Sequence, residues 1–171
     1  MTYPDDLERL WAPYRMAYVR GADDQVRDDG CPFCSMSAGG AQSELVVARG
    51  DHAFVAMNLY PYNPGHLMVL PNRHTGDYVG LSQTEADEIT ALTRRALVTL
   101  QQVSSPHGFN VGFNLGAVAG GSISQHLHQH VVPRWGGDAN FMTVVAGTKT
   151  LPQVVEQTAA LLREAWDGQE D

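Results

Sequence analysis

The sequence predicts an α+β fold in which a mostly antiparallel β-sheet packs against helices. Two apolar runs, residues 44–48 and 52–57, flank a short polar turn at 49–51 and predict a β-hairpin. A long amphipathic segment that begins at Ser82 predicts one long connecting helix. Hairpins joined by a single long helix are typical of an α+β domain, whereas a doubly wound sheet needs strands and helices in strict alternation.

The composition is typical of one compact domain. The chain has 171 residues, of which 43% are hydrophobic, and a chain of this size buries roughly 70% of the surface that it exposes when unfolded. Its longest apolar runs, such as residues 67–70, are the length of a strand and fall far short of the roughly 20 residues that span a membrane. The first residues are acidic where a signal peptide would be basic. We therefore expect a cytoplasmic protein that does not bind a membrane.

The charge pattern excludes two classes of phosphate-binding protein. A formal net charge of −8 argues against nucleic acid as a partner, because a general nucleic-acid binder needs a basic face. The single lysine, Lys149, does not stand in the glycine-lysine motif of a phosphate-binding loop. Any bound phosphate must therefore be held by backbone N–H groups, by histidines or by Arg134.

The N-terminal part of the chain differs in character from the rest. Residues 1–30 are polar and acidic around an aromatic patch at 10–18, and they predict an extension that packs on the domain. The domain itself is predicted over residues 31–171 and ends in a C-terminal helix. Residues 35–43 are small and polar, which predicts a loop.

The remaining elements follow from apolar spacing and from start and stop signals. Ser82 and Glu85 form a capping box, which marks the start of the long helix. The other predicted elements are a strand at 66–70 closed by Pro71, a strand at 109–115, a glycine-rich loop at 116–121, a strand at 125–132, and a helix from Thr150 with Val154, Thr158, Leu161, Leu162 and Trp166 on one side.

Three of the seven histidines fall within five residues, at His126, His128 and His130. On a strand, side chains alternate between the two faces, so the three imidazoles would project from one face. Three histidines can bind a catalytic zinc ion. Alternatively, the middle imidazole can be a nucleophile whose neighbours fix its tautomer and hold the reacting group. A surface strand without a chemical role is the third interpretation.

The row resembles the histidine-triad motif of nucleotidyl hydrolases and transferases, H-x-H-x-H followed by two apolar residues. The resemblance covers residues 31 to 135. It includes the segments N-x-x-P-x-N-P-G-H at 58–66, F-N-V-G at 109–112 and G-G-S at 120–122. A tighter resemblance, over 10–16, 58–69 and 130–141, is to the diadenosine tetraphosphate phosphorylases of actinobacteria.

The resemblance implies a five-stranded antiparallel sheet with two main helices, in a chain that forms a homodimer or a higher homo-oligomer. It implies an enzyme that cleaves a dinucleoside polyphosphate, with inorganic phosphate as acceptor and with ATP and ADP as products of the tetraphosphate. Hydrolysis of dinucleoside polyphosphates or of nucleoside phosphoramidates is the alternative within the family. A zinc-stabilised nucleotide-binding protein without turnover is the alternative from another class.

The resemblance also implies roles for individual residues. The catalytic group would be His128 as the nucleophile, with His130 and His66 orienting it and contacting the phosphate. The nucleotide-binding residues would be Asn58, Asn114, Gly120, Gly121, Ser122, His130 and Trp135. Backbone N–H groups of the glycine loop suit phosphate oxygens.

A second cluster is indicated by Cys31 and Cys34, whose Cys-x-x-Cys spacing is typical of a metal knuckle or a redox pair. Two cysteines supply only half of a tetrahedral zinc site. The resemblance to other histidine-triad proteins implies His74 and His126 as the missing ligands, which would make a closed and structural Zn²⁺ site. A pair of free thiols and a redox disulfide remain the alternatives.

Overall fold

The computed structural model describes residues 30–119, 123–138 and 154–168. The elements in these ranges are α1 (Pro32–Ser37), β1 (Val46–Arg49), β2 (Ala53–Met57), β3 (Leu67–Pro71), α2 (Gln83–Ser104), β4 (Gly108–Phe113), β5 (Gln129–Arg134) and α3 (Val155–Asp167), with short 3₁₀ turns at Ser43–Leu45 and Ala117–Ala119. The strands form one antiparallel sheet in the order β1-β2-β3-β5-β4. The predicted α+β fold with five strands and two main helices is confirmed.

The core of the domain lies between one face of the sheet and the two main helices. Strands β2 and β3 are buried along their whole length, because they occupy the centre of the sheet. The helices add apolar side chains at helical spacing, and Arg95 on α2 lies 5.1 Å from the ring centroid of Trp166 on α3. No helix in the described part of the chain combines the length and apolar character that a membrane span requires.

The β1–β2 hairpin forms close to its predicted position, but β1 begins at Val46 instead of residue 44, because Ser43–Leu45 form a 3₁₀ turn, and it extends to Arg49. Its turn is fixed from outside, since the Glu88 carboxylate of α2 accepts hydrogen bonds from the backbone N–H groups of Asp51 and His52. The start of α2 is also as predicted. Ser82 accepts from the Glu85 backbone N–H, and the Glu85 carboxylate accepts from the Ser82 backbone N–H and pairs with Arg73 at 2.8 Å.

Both ends of strand β5 differ from the predicted ones. Strand β5 begins at Gln129 instead of residue 125 and continues through Pro133 to Arg134. The residues before it leave the sheet because the Leu127 N–H donates to the carbonyl of Thr75 in the loop after β3. The alternation of a strand therefore applies to His130 but not to His126 and His128.

Two further boundaries and one buried helix face need correction. The predicted loop at 35–43 begins inside α1, whose first position is a proline, the residue best tolerated there. Strand β4 is Gly108–Phe113 instead of 109–115. On α3 the buried side chains are Thr158, Ala159, Leu162 and Trp166, whereas Val154 and Leu161 are exposed, because the buried stripe follows i, i+4 spacing from Thr158.

Several predictions fall outside the described ranges. These are the N-terminal extension up to residue 29, the glycine-loop residues Gly120, Gly121 and Ser122, and the helix start at 150–153. The division into an extension and a domain stays a prediction.

We expect Ser82→Ala to lower the free energy of unfolding by about 1 kcal/mol, because the helix loses the acceptor for the Glu85 N–H. Urea unfolding followed by circular dichroism measures this difference. Thr90→Ala, an exposed hydroxyl in the same helix, is the control and should change stability by less than about 0.5 kcal/mol. Equal effects of the two substitutions would show that the cap does not stabilise the helix.

Candidate active site

Three histidines meet where β3 and β5 lie side by side. Met68 of β3 is paired with His130 of β5, so His66, two residues before Met68, lies diagonally beside His130 on the same face of the sheet. The ring centroids of His66 and His130 are 5.1 Å apart, and those of His128 and His130 are 5.0 Å apart. The structure therefore brings the three predicted catalytic residues together.

The hydrogen bonds in this cluster assign the tautomers of two imidazoles. The backbone N–H of Tyr62 donates to Nδ1 of His66 at 3.0 Å, so Nδ1 is the acceptor and Nε2 carries the proton. That Nε2–H faces Nδ1 of His130 at 2.9 Å. His130 must then carry its own proton on Nε2. The amide nitrogen Nδ2 of Asn114 lies 3.4 Å from this Nε2, and since both atoms are donors they do not bond to each other but can donate to a shared acceptor. The result is a relay in which each ring accepts at Nδ1 and donates at Nε2.

The turn before His66 makes this relay possible. Gly65 takes a φ of +75°, a backbone conformation that glycine adopts without strain. The turn reverses the direction of the chain, so that the Tyr62 N–H points at the ring of His66. The Tyr62 side chain packs over both rings, with its centroid 4.7 Å from that of His66 and 5.6 Å from that of His130.

Burial keeps the two relay imidazoles neutral. The pKa of His66 is lowered from 6.5 to about 3, chiefly by desolvation and then by the nearby His130 and His128. The pKa of His130 is lowered from 6.5 to about 4, again chiefly by desolvation, with a contribution from His128. At neutral pH both rings therefore act through hydrogen bonds and not as cations.

His128 has a different hydrogen-bond pattern. Its Nδ1–H donates to the backbone carbonyl of His126 at 2.9 Å, and this contact leaves the Nε2 lone pair available. The side chain is 7% exposed, and burial lowers its pKa from the ordinary value. A neutral imidazole with a bonded Nδ1–H and an available Nε2 has the electronic arrangement of a nucleophile.

An open cavity of about 430 Å³ extends from this cluster along β4 and β5. Its lining includes His130, Asn114 and the exposed ring of Tyr62, together with Asn110 and Arg134. The guanidinium of Arg134 is paired with Asp138 at 2.6 Å and donates to Asn110, and these partners raise the pKa of the arginine. The cavity is therefore open to solvent, and its lining combines polar side chains with apolar ones such as Val111 and Val132.

Two further predicted nucleotide-binding residues are described: Asn58 lies beside the three histidines, whereas Trp135 lies outside the cavity. The Asn58 amide lies 3.4 Å from Nδ1 of His66, and its Oδ1 accepts from the Tyr60 N–H. Trp135 is not part of the cavity lining, and its indole N–H donates to the carbonyl of Ser104 at the end of α2.

A second cluster combines the four residues predicted as metal ligands. One side-chain atom of each of Cys31, Cys34, His74 and His126 lies within 4.8 Å of the others. Nδ1 of His126 is 3.3 Å from Cys31 Sγ and 3.5 Å from Cys34 Sγ, and Nδ1 of His74 is 3.3 Å from Cys34 Sγ. For a tetrahedral Zn²⁺ with ordinary bond lengths, neighbouring S and N ligands are separated by about 3.5 Å.

The chemistry around this cluster also suits a divalent metal ion. His126 donates its Nε2–H to the carbonyl of Pro71 at 2.9 Å, so that its Nδ1 lone pair faces the cysteines. The pKa of the Cys34 thiol is raised by burial and by Cys31. A bound cation would offset this cost of charging two neighbouring thiolates. The cluster can therefore hold a metal ion. It places His126 with the cysteines and not with the three histidines that are predicted to be catalytic.

The sequence did not reveal the roles of two aromatic residues. Tyr62 supplies the backbone N–H that donates to His66. The sequence signal for this role is weak, because it is only that Tyr62 lies in a turn four residues before the histidine. Phe33 lies between the two cysteines, and its ring is 5.2 Å from that of His128. Its position inside the Cys-x-x-Cys segment was visible, but its contact across the fold was not.

Comparisons with known proteins agree with this geometry. The HIT domain family model matches residues 40–137. A Mycobacterium tuberculosis (strain H37Rv) protein named AP-4-A phosphorylase is 48% identical over 169 aligned residues, which cover 95% of this chain and 86% of the relative.

Solved structures show the same fold. A zinc-bound histidine triad family protein from Mycobacterium smegmatis is 25% identical and matches with a TM-score of 0.66, over 80% of this chain and 93% of that one. The diadenosine triphosphate hydrolase of Plasmodium falciparum, solved with cyclomarin A, is 19% identical and matches with a TM-score of 0.60, over 72% of this chain and 77% of that one. At 19% identity the likeness concerns the fold alone.

We expect His66 to make stability depend on pH between about 3 and 6.5. The unfolded chain binds a proton near pH 6.5, whereas folded His66 stays neutral to about pH 3, so the contribution is complete above pH 6.5 and declines as the pH falls. Between pH 6.5 and 5 the loss should be about 2 kcal/mol.

Urea unfolding at several pH values measures this effect. The His66→Gln variant should show a shallower pH dependence than the parent protein, by about one proton. His52→Gln, which removes an exposed histidine from the hairpin turn, is the matched control. An unchanged slope in His66→Gln would contradict the assignment of a neutral buried imidazole.

Proposed function

The chain belongs to the HIT domain family, and on that premise we propose that it is a nucleotidyltransferase that cleaves diadenosine tetraphosphate with inorganic phosphate. The products are ATP and ADP. The substrate follows from the 48% identity to the relative named AP-4-A phosphorylase. The observation that carries the chemistry is the Nδ1–H bond of His128 to the His126 carbonyl, because it leaves Nε2 able to attack phosphorus.

In the first step, Nε2 of His128 attacks the α-phosphorus of the dinucleotide. A P–N bond forms as the bond from the α-phosphorus to its bridging oxygen breaks, and ATP leaves. The imidazole then carries the positive charge of the adenylylated ring. The His126 carbonyl, which accepts the Nδ1–H at 2.9 Å, is placed to stabilise that charge without removing the proton.

In the second step, an oxygen of inorganic phosphate attacks the same phosphorus. The P–N bond breaks, ADP is released, and the ring returns to its neutral form with its proton still on Nδ1. Phosphate brings a proton on one of its own oxygens, which it loses to solvent. Water in place of phosphate would release AMP instead, so the choice of acceptor separates a phosphorylase from a hydrolase.

The relay residues would stabilise charge on the phosphate during both steps. His130 would donate its Nε2–H to a phosphate oxygen, and His66 holds His130 in the tautomer that permits this. Asn114 lies beside the same Nε2, which suits a second donor to the phosphate. The backbone N–H groups of Gly120 and Gly121 and the hydroxyl of Ser122 would complete the phosphate site.

The nucleoside and the leaving group would occupy opposite sides of this phosphate site. Asn58 would bind ribose hydroxyls, since its amide lies beside His66 at the end of β2. Trp135 would select the leaving group by steric contact, a role that requires the substrate to reach the C-terminal end of β5.

Zinc is the metal that we propose for the second cluster. Cys31, Cys34, His74 and His126 would supply two sulfur and two nitrogen ligands, the donor set of closed structural sites. The zinc-bound relative from Mycobacterium smegmatis supports this choice. When bound, the ion would join α1 to the loop after β3 and to the residues before β5.

The proposed form of the enzyme is a cytoplasmic homodimer. Among the described residues, strand β4 has no further strand beside it, and its Val111 is 44% exposed, so a second copy of the chain can cover this edge. The net charge of −8 supports the expectation that nucleic acid is not a partner.

We expect [³²P]phosphate to enter ADP when the protein turns over diadenosine tetraphosphate. Equal amounts of ATP and ADP should form, and His128→Asn should lower kcat by at least about a thousandfold. His52→Asn, on the exposed hairpin turn, is the control for loss of an imidazole. Formation of AMP and ATP without incorporation of label would identify a hydrolase instead, and tight binding without products would identify a binding protein.

We expect the purified protein to contain about one zinc ion per chain by mass spectrometry of the metal. Cys31→Ser should lose most of this zinc, because one thiolate ligand is removed, whereas His128→Asn should retain it. Loss of zinc from His128→Asn would instead support a catalytic site of three histidines. Full zinc content in Cys31→Ser would rule out the proposed ligand set.

A further inference from the structure

Phe33 connects the metal cluster to the nucleophile. It lies between Cys31 and Cys34 in sequence, and it is 8% exposed. Its ring centroid is 5.2 Å from that of His128 and 5.6 Å from that of His126. One phenyl ring therefore packs on a predicted metal ligand and on the nucleophile at the same time.

Three contacts determine the orientation of the His128 imidazole. The first is the hydrogen bond from Nδ1–H to the His126 carbonyl. The second is the edge contact with His130, at an interplanar angle of 82°. The third is Phe33, whose ring is tilted by 51° relative to the imidazole. Without the phenyl ring, the imidazole would have space to rotate away from its hydrogen-bond acceptor.

Two of these contacts come from residues that belong to the metal cluster or lie within it. The carbonyl belongs to His126, whose ring is fixed by its bond to Pro71 and faces the cysteines. Phe33 is in α1, a helix of six residues that begins directly after the first of the two cysteines. A helix this short has little intrinsic stability, so its position depends on what its side chains contact.

We propose that Phe33 is a positioning residue for His128: held in place by the metal cluster, it keeps the imidazole in the orientation and the Nδ1–H tautomer that attack on phosphorus requires. The kinetic consequence rests on the proposed function. The orientation and tautomer of His128 do not, and they can be measured without substrate.

The test uses the zinc-loaded protein, labelled with ¹⁵N-histidine, and its Phe33→Ala variant. Long-range ¹H–¹⁵N spectra report the tautomer of each imidazole. The parent protein should show His128 as a single Nδ1–H tautomer, and Phe33→Ala should show a mixture while it keeps its zinc. Turnover of diadenosine tetraphosphate should then fall by about tenfold to a hundredfold in kcat, with KM changed by less than about threefold.

Two further variants make the result specific. Phe33→Leu fills much of the same space and should restore the single tautomer and most of kcat. If the alanine variant does not fold, Phe33→Val, which leaves more of that space empty than leucine does, replaces it and should show the mixture of tautomers. Met36→Ala removes a buried side chain from the same helix and controls for general destabilisation of α1; it should leave the His128 signal unchanged.

Three results would overturn the proposal. One is a single His128 tautomer with normal kcat in Phe33→Ala. Another is a fall in kcat without any change in the His128 spectrum. The third is a rise in KM at constant kcat, which would place Phe33 in substrate binding. If the protein does not act on diadenosine tetraphosphate at all, the proposed function fails, while the spectra of the variants still decide the role of Phe33.

Discussion

The hydrogen bond between His128 Nδ1 and the His126 carbonyl is the interaction on which the proposed chemistry depends. It exists because residues 125–128 leave the sheet before β5 begins, which allows a backbone carbonyl to face a side chain two residues away. A regular strand would use that carbonyl for pairing with its neighbour or turn it away from the ring. The departure from strand geometry thus sets the tautomer of His128, the proposed nucleophile.

The surroundings of the site reinforce this arrangement by exclusion of water. His66, His126 and His128 are all buried, and each has a defined partner for one ring nitrogen. Burial of several imidazoles is compatible with a stable fold only because the rings stay neutral and form hydrogen bonds to one another or to the backbone. His130 and Asn114 differ from these three residues, because they line the cavity that is open to solvent.

The sequence predicted most of the fold because its signals were local. The capping box at Ser82 and Glu85, the hairpin turn and the apolar strands each depend on residues close together in the chain. The start of β5 was missed because the bond from Leu127 to Thr75 joins segments more than 50 residues apart.

In the candidate site, too, only the local patterns could be predicted from the sequence. The histidine row and the cysteine pair were visible as patterns, and the ligand set and the catalytic roles came from family resemblance. The parts played by Tyr62 and Phe33 depend on contacts across the fold that no local pattern encodes.

The donor to His66 belongs to the main chain of Tyr62 and not to its side chain. Evolution can therefore exchange the aromatic ring at this position, and reshape the mouth of the cavity, without disturbing the proton arrangement beneath it. Only an imino acid would remove the donor itself. The shape of the cavity mouth and the tautomer of His66 thus depend on different parts of a single residue.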